Sequence, residues 1–331
     1  MRTRLLLSAV VAVLATWAFS LGASAAAPAG DGPSASARIF TPLGTPMRAT
    51  AGAAAVDAAA NSAANLSYHG GAVMTSPTVF LIFWGPTWQS GFSSGGFTSA
   101  QARTYISSFF GGVGGSAWLN STTQYCQGVA TGTQFCPAGA AHPVNRTGQL
   151  GGTWVDTTAI PTHPTDAQVQ AAARRGAGHF GFHASALYMV LTSHSHSIRG
   201  FGTSFCAYHD NTSFNGQPLA YANEPYAPDA GASCGENFVN RSNDSFGNGF
   251  FDGYSITAGH EYAEAVSDML PSQRLAWVDS HGAENGDKCA WGRGPGPDSA
   301  SQNISLGGHS FAVQSLWSNL ANGGAGGCVI R

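Results

Sequence analysis

The run Gly259-His-Glu-Tyr-Ala-Glu264 places one histidine and two glutamates within a single potential helical turn and a half. At helical spacing His260 and Glu264 share a face, with Glu261 beside them. Zinc hydrolases use a neutral imidazole, one or two further protein ligands around an open position, and a carboxylate that accepts a proton from metal-bound water. The zincin motif His-Glu-x-x-His supplies these parts from one helix, and here the second histidine is replaced by Glu264. Downstream, Ala283-Glu-Asn-Gly-Asp-Lys-Cys289 carries two loop carboxylates, Glu284 and Asp287, that a disulfide at Cys289 would fix. The chemistry expected is metal-assisted peptide hydrolysis, with His260, Glu264 and Asp287 on zinc and Glu261 as the base. Glu284 is the alternative third ligand. Two carboxylates and one imidazole cancel more of zinc's charge than three imidazoles do, which leaves a bound water less acidified. The same set would suit a structural ion, including calcium if backbone carbonyls joined it.

These residues need elements to hold them. The motif lies in an otherwise apolar or small stretch (Ile256, Ala258, Ala263, Ala265, Val266), which predicts an inward-packed helix over residues 254–269, stopped by Pro271. Thr78-Val-Phe-Leu-Ile-Phe-Trp84 and Ala186-Leu-Tyr-Met-Val-Leu-Thr192 are continuous apolar runs, as expected of strands buried on both faces. Thr98 and Gln101 form a Thr-x-x-Gln capping box ahead of a helix striped with Tyr105, Ile106, Phe109 and Phe110 and stopped at Gly111-Gly112. Thr165 and Gln168 repeat the device for a helix ending near Arg175, with Gly176 as its stop. Strands alternating with helices predict an α/β fold: one loop-rich, disulfide-stabilised domain with a mixed sheet flanked by helices, zincin-like around the motif helix.

The N-terminus sets the compartment. Arg2 and Arg4 precede an apolar run from Leu5 to Leu21, and Ala23-Ser-Ala25 offers a cleavage site, so residues 1–25 read as a signal peptide and the product as extracellular. No later stretch approaches the roughly 20 apolar residues of a membrane helix. Residues 26–64, rich in Ala, Ser, Gly and Pro, read as a propeptide or linker, and residues 65–331 as one domain. The net charge of −3 argues against nucleic acid as a partner. Six cysteines in an exported chain imply three disulfides, and pairing of neighbours would join Cys126 to Cys136, Cys206 to Cys234 and Cys289 to Cys328. A disulfide at Cys206 takes away the thiolate that could have joined His209 in a zinc site, which leaves His209 outside the expected site. His194 and His196 read as a polar loop, and His69 as part of a structural turn. No Gly-x-Ser-x-Gly elbow suggests a serine hydrolase.

Several separated blocks resemble the phosphate-induced protein 1 or EXORDIUM-like family, extracellular proteins of plants with exported bacterial relatives. Tyr68-His-Gly-Gly-Ala-Val73 is similar to that family's Tyr-His-Gly-Gly-Pro-Val opening, with Ala72 in place of proline, and Val79-Phe-Leu-Ile-Phe-Trp-Gly85 to the strand that follows it. Val190-Leu-Thr192 with Phe205-Cys206 and His209 resembles the middle block, here with His194-Ser-His196 added. Gly259-His-Glu-Tyr-Ala-Glu264 resembles the His-Glu-Leu-Ala-Glu helix, and Glu284-Asn-Gly-Asp-Lys-Cys289 a Glu-x-x-Asp-x-Cys segment. The plant members are associated with cell expansion rather than with an established reaction. The resemblance therefore implies that glutamate at 264 is a family feature, and it implies no substrate. Two functions are expected from different classes. One is a secreted metallopeptidase acting on protein or peptide. The other is a noncatalytic protein, associated with the extracellular space or a cell-wall component, whose cluster holds a structural metal or a polar network.

Overall fold

The computed structural model describes residues 32–43, 64–296 and 298–331. The expected signal peptide and most of the expected propeptide lie outside those residues. A six-stranded mixed sheet forms the centre. Its strands are β1 (Arg38–Phe40), β2 (Thr78–Trp84), β3 (Leu150–Asp156), β4 (Ala186–Thr192), β5 (Ala207–Phe214) and β6 (Gln217–Glu224), in the spatial order β1-β5-β6-β4-β2-β3. Strands β3, β2, β4 and β6 run parallel, while β5 and β1 are antiparallel additions at one edge. Asn215 and Gly216, both at positive φ, turn β5 into β6. That is the two-residue hairpin chemistry in which both central residues take φ above zero.

Strands β2 and β4 match their apolar runs residue for residue, and their alternation divides the core in two. Val79, Leu81, Phe83, Leu187, Met189 and Leu191 face one layer. Phe80, Ile82, Trp84, Tyr188 and Val190 face the other. Helix α1 (Ser99–Val113) packs on the first face through Ala102, Tyr105, Ile106, Phe109, Phe110 and Val113. Its capping box is formed, with the Gln101 N–H donating to Thr98 Oγ1 at 3.3 Å and the Thr98 N–H to Gln101 Oε1 at 2.9 Å. Helix α2 (Asp166–Phe180) covers the second face. It runs five residues beyond the expected end at Arg175. Gly176 is interior, and a Cβ there would lie 2.1 Å from Ile82 Cδ1. The glycine serves close approach of helix to sheet, and Gly181, at φ 90°, ends the helix instead.

Helix α3 (Asp252–Ser267) is the motif helix, and every one of its residues is buried. It lies on the first face beside α1, under a hairpin of β7 (Ser301–Leu306) and β8 (His309–Gln314). Its start is tied by Asp252, whose carboxylate accepts the N–H groups of Val239, Asn240 and Gly249 at 2.9, 2.6 and 2.8 Å. It begins two residues before the expected start, and Asp268, at φ −141°, leaves helical geometry before Pro271. All three neighbour disulfides form, Cys126–Cys136, Cys206–Cys234 and Cys289–Cys328. Among the described residues no helix is long and apolar enough to cross a membrane.

Composition set residues 26–64 apart from the domain, yet residues 38–40 of that stretch are an edge strand of the main sheet. Strand β1 pairs with β5 in the register Arg38↔His209, Ile39↔Tyr208 and Phe40↔Ala207. Phe40 is 1% exposed.

Candidate metal centre

Helix α3 is buried all round, so its polar residues must be satisfied inside the protein. His260 and Glu264 meet across one turn, with His260 Nε2 3.0 Å from Glu264 Oε1. Glu261 points toward β5, where its Oε2 accepts from His209 Nδ1 at 3.0 Å. The second oxygen of Glu264 turns the same way, with Oε2 3.6 Å from His209 Nδ1. Glu264 thus faces a different histidine with each oxygen.

The loop after the short strand Trp277–Val278 completes the site from the far side. Asn285 clamps it to α3 by donating to the Ala263 carbonyl at 2.9 Å and to Ser267 Oγ at 2.7 Å. Gln314 of β8 holds it through the Gly286 carbonyl at 2.8 Å, and the Cys289–Cys328 disulfide anchors its end. Gly286 is required by proximity. A Cβ at that position would lie 2.7 Å from His260 Nδ1 and 2.9 Å from Glu264 Oε1. The backbone can therefore pass directly over the two side chains, and the Asp287 N–H donates to Glu264 Oε1 at 2.9 Å. Asp287 Oδ1 comes within 3.8 Å of His260 Nε2.

Two overlapping three-residue groups result, His260/Glu264/Asp287 and His209/Glu261/Glu264, each with its ligand atoms within 4.8 Å of one another. The first is the set expected from sequence, with Asp287 in the third place. Glu284 lies to the other side, its Oε1 3.7 Å from His209 Nε2 and its Oε2 3.8 Å from Arg38 Nε. His209 is the member the sequence reading left out. The disulfide at Cys206 does form, and three residues later the strand alternation of β5 turns His209 toward α3. His194 pairs instead with Asp229 at 2.5 Å, and His196 with the Pro161 carbonyl at 3.0 Å, both away from this cluster. His69 stays in its turn beside Ser67.

The fit of this site to a cation rests on its orphaned atoms. His209 Nε2, both ring nitrogens of His260, Glu261 Oε1, Glu264 Oε2 and both oxygens of Glu284 are buried without a hydrogen-bond partner. The 3.0 Å approach of His260 to Glu264 is an ion-pair distance lacking hydrogen-bond alignment. Each orphaned buried group costs about 1–3 kcal/mol, so a cluster of them in one place fits a bound cation or ordered water. Four atoms about 2.0–2.2 Å from a tetrahedral zinc lie roughly 3.3–3.6 Å from one another. The 3.0 and 3.8 Å separations around His260 bracket that spacing.

Without an ion the cluster holds protons. Burial pushes Glu261 and Glu284 well above the carboxylate range, with the Glu264 charge adding to the shift. Burial, then Glu264, lifts Asp287 to about 7. Burial also lowers His209 to about 4, against the pull of Glu264. Burial alone would lower His260 and raise Glu264, but each one's charge on the other reverses both directions. A proton held by Asp287 up to about 7 in the fold leaves near pH 4 in an unfolded chain. The metal-free protein should therefore lose stability as pH rises from about 4 to about 7, because the folded state then binds more protons than the unfolded one. A cation must displace the same protons, so zinc binding should tighten with rising pH through about 7 and release protons. Calorimetric zinc titration near pH 6 in buffers of different ionisation enthalpy should give buffer-dependent heats, whereas equal heats would contradict the protonated cluster.

No protein-family model, no curated protein and no solved structure matches this chain, so the chemistry of the site is argued from its own atoms.

Proposed function

We propose that this chain is a secreted zinc-dependent hydrolase, a metallopeptidase, whose ion is held by His260, Glu264 and Asp287. The observation that carries the reading is the convergence of those three buried side chains, with both His260 ring nitrogens and Glu264 Oε2 unpartnered, beside a helix that also presents Glu261. An imidazole ligand favours zinc over calcium, which prefers six to eight oxygens. The zincin-like description and kinship with exported EXORDIUM-like proteins belong to the same proposal, as does the extracellular location. Three disulfides are consistent with that location.

When bound, zinc would supply a Lewis acid for a substrate carbonyl and acidify a water. The rest falls to the chain's own groups. Glu261 takes the proton, since its Oε1 is free of hydrogen bonds and a nearby cation would draw its raised pKa down into the working range. His209, neutral because burial lowers its pKa, donates Nδ1–H to Glu261 Oε2 and fixes the orientation of that base. His209 is thereby a positioning residue. Asn285 and Gln314 hold the Asp287 loop against α3 and keep the ligand spacing.

A second reading is favoured by one observation. His209, His260, Glu261, Glu264 and Glu284 are each 0% exposed, as befits a structural ion in a noncatalytic protein. Metal analysis of the purified chain tests the common part of both. The expected result is one zinc per chain that survives dialysis, lost in His260→Ala. Substoichiometric zinc, with His260→Ala unaltered in stability, would exclude both metal readings.

A further inference from the structure

The burial of the metal centre is in part the work of the chain's own N-terminal segment. Phe40 of β1 stacks on the His260 ring at 4.0 Å between centroids, and on Trp291 at 4.6 Å. Arg38, two residues earlier on the same face of the strand, reaches the acidic side of the cluster. Its guanidinium donates to the Gly282 carbonyl at 3.3 Å and lies 3.8 Å from Glu284. Bonds to the segment's main chain complete the seat. The Cys206 N–H donates to the Phe40 carbonyl at 2.7 Å, Trp291 Nε1 to the Thr41 carbonyl at 2.9 Å, and the Leu43 N–H to the Ser233 carbonyl at 2.7 Å.

We propose that the edge of β5 is a binding groove for an extended polypeptide, that residues 33–43 fill it as an internal stand-in, and that it selects a basic side chain followed two residues later by an aromatic one. As a substrate groove it deepens the hydrolase reading and rests on it; as a peptide-binding groove it stands alone. Three features separate such an occupant from a permanent strand. The pairing is only three residues long. Arg38 Nε and both Glu284 oxygens lack hydrogen-bond partners, so the two side chains face each other at 3.8 Å without being locked in place. The side chains over the cluster are those of β1 itself: a guanidinium stands where a cation would compensate the carboxylates, and an aromatic ring covers the imidazole expected to bind one. Peptides that add a strand to a sheet edge take affinity from main-chain bonds and specificity from alternate side chains, the division of labour seen here.

The test uses the full chain with a sequence-specific protease site introduced within residues 50–60. The probe is a fluorescein-labelled peptide, Pro-Ser-Ala-Ser-Ala-Arg-Ile-Phe-Thr-Pro-Leu, followed by anisotropy with and without zinc. The uncut chain is expected not to bind it. The cut chain, once mass spectrometry shows the N-terminal fragment gone, is expected to bind one peptide per chain. Arg38→Glu or Phe40→Ala in the peptide is expected to weaken binding by about tenfold or more. Three results would overturn the groove: no binding after the fragment has left, equal binding of the variant peptides, or a fragment that excess peptide never displaces. Peptide binding by a chain that holds no zinc would leave the groove standing and remove the hydrolase reading alone.

Discussion

Glu261→Gln is expected to retain one zinc per chain and to lower hydrolysis of unfolded protein substrates by about 10²–10⁴-fold, the usual contribution of a positioned general base. Glutamine keeps the size of the side chain and its acceptor toward His209, so the hydrogen bond at 3.0 Å can persist. It cannot take a proton. Because Glu261 is not among the residues assigned to the ion, zinc content separates loss of the base from loss of the site. His209→Gln provides a second readout. If His209 only orients Glu261, its replacement should lower kcat and shift the acid limb of the pH profile while KM changes little. The substrate must reach the site, so these measurements belong on the chain cut between residues 43 and 64. Wild-type protein that binds zinc, is cut, and still hydrolyses nothing would leave the structural-ion reading in possession of the site. An active Glu261→Gln chain would show that another group takes the proton.

How much of this could be read from the sequence depends on how local each signal was. Strands β2 and β4 were legible because six apolar residues in a row beside a threonine, buried on two faces, read as a strand at that length. The capping boxes located the starts of α1 and α2, since the partners sit three residues apart. Strand β5 was missed because Ala207–Phe214 mixes polar and apolar residues and shows no continuous run, although Asn215-Gly216 marked a hairpin. With β5 went His209, whose place at the site depends on sheet register against a helix about fifty residues away. Gly176 was misread for the opposite reason. A glycine near a helix end signals a stop by propensity, and only the closeness of Ile82 shows that it is packing. The N-terminal segment was set aside on composition, yet Arg38, Ile39 and Phe40 are bulky residues within it and are those that pair with β5.

The site also depends on the packing beneath it, and Phe109→Ala should be the most damaging single truncation of those that leave the site's own residues intact. Phe109 is fully buried. Its ring meets Phe110, Trp118 and Phe311 edge-on at 5.1, 6.3 and 5.6 Å between centroids, which joins α1 to the β7–β8 hairpin. The same ring lies against α3 next to His260, the proposed ligand, since a Cβ on Gly259 would sit 3.0 Å from Phe109 Cζ. Truncation to alanine removes the transfer free energy of the ring and leaves a cavity between three rigid aromatics and a helix backbone. The expected cost is about 3–5 kcal/mol, seen as a lower urea midpoint at unchanged slope with the disulfides intact. Phe135, 48% exposed, is the control, and its truncation should stay within about 0.5 kcal/mol. Because the cavity lies under Gly259, the helix that carries His260 loses its support, and zinc affinity should fall as well, though by less than in His260→Ala. A Phe109→Ala chain as stable as the control would mean that α3 is held from its other side, by β5 and the Asp287 loop, and that the metal centre is independent of the α1 layer.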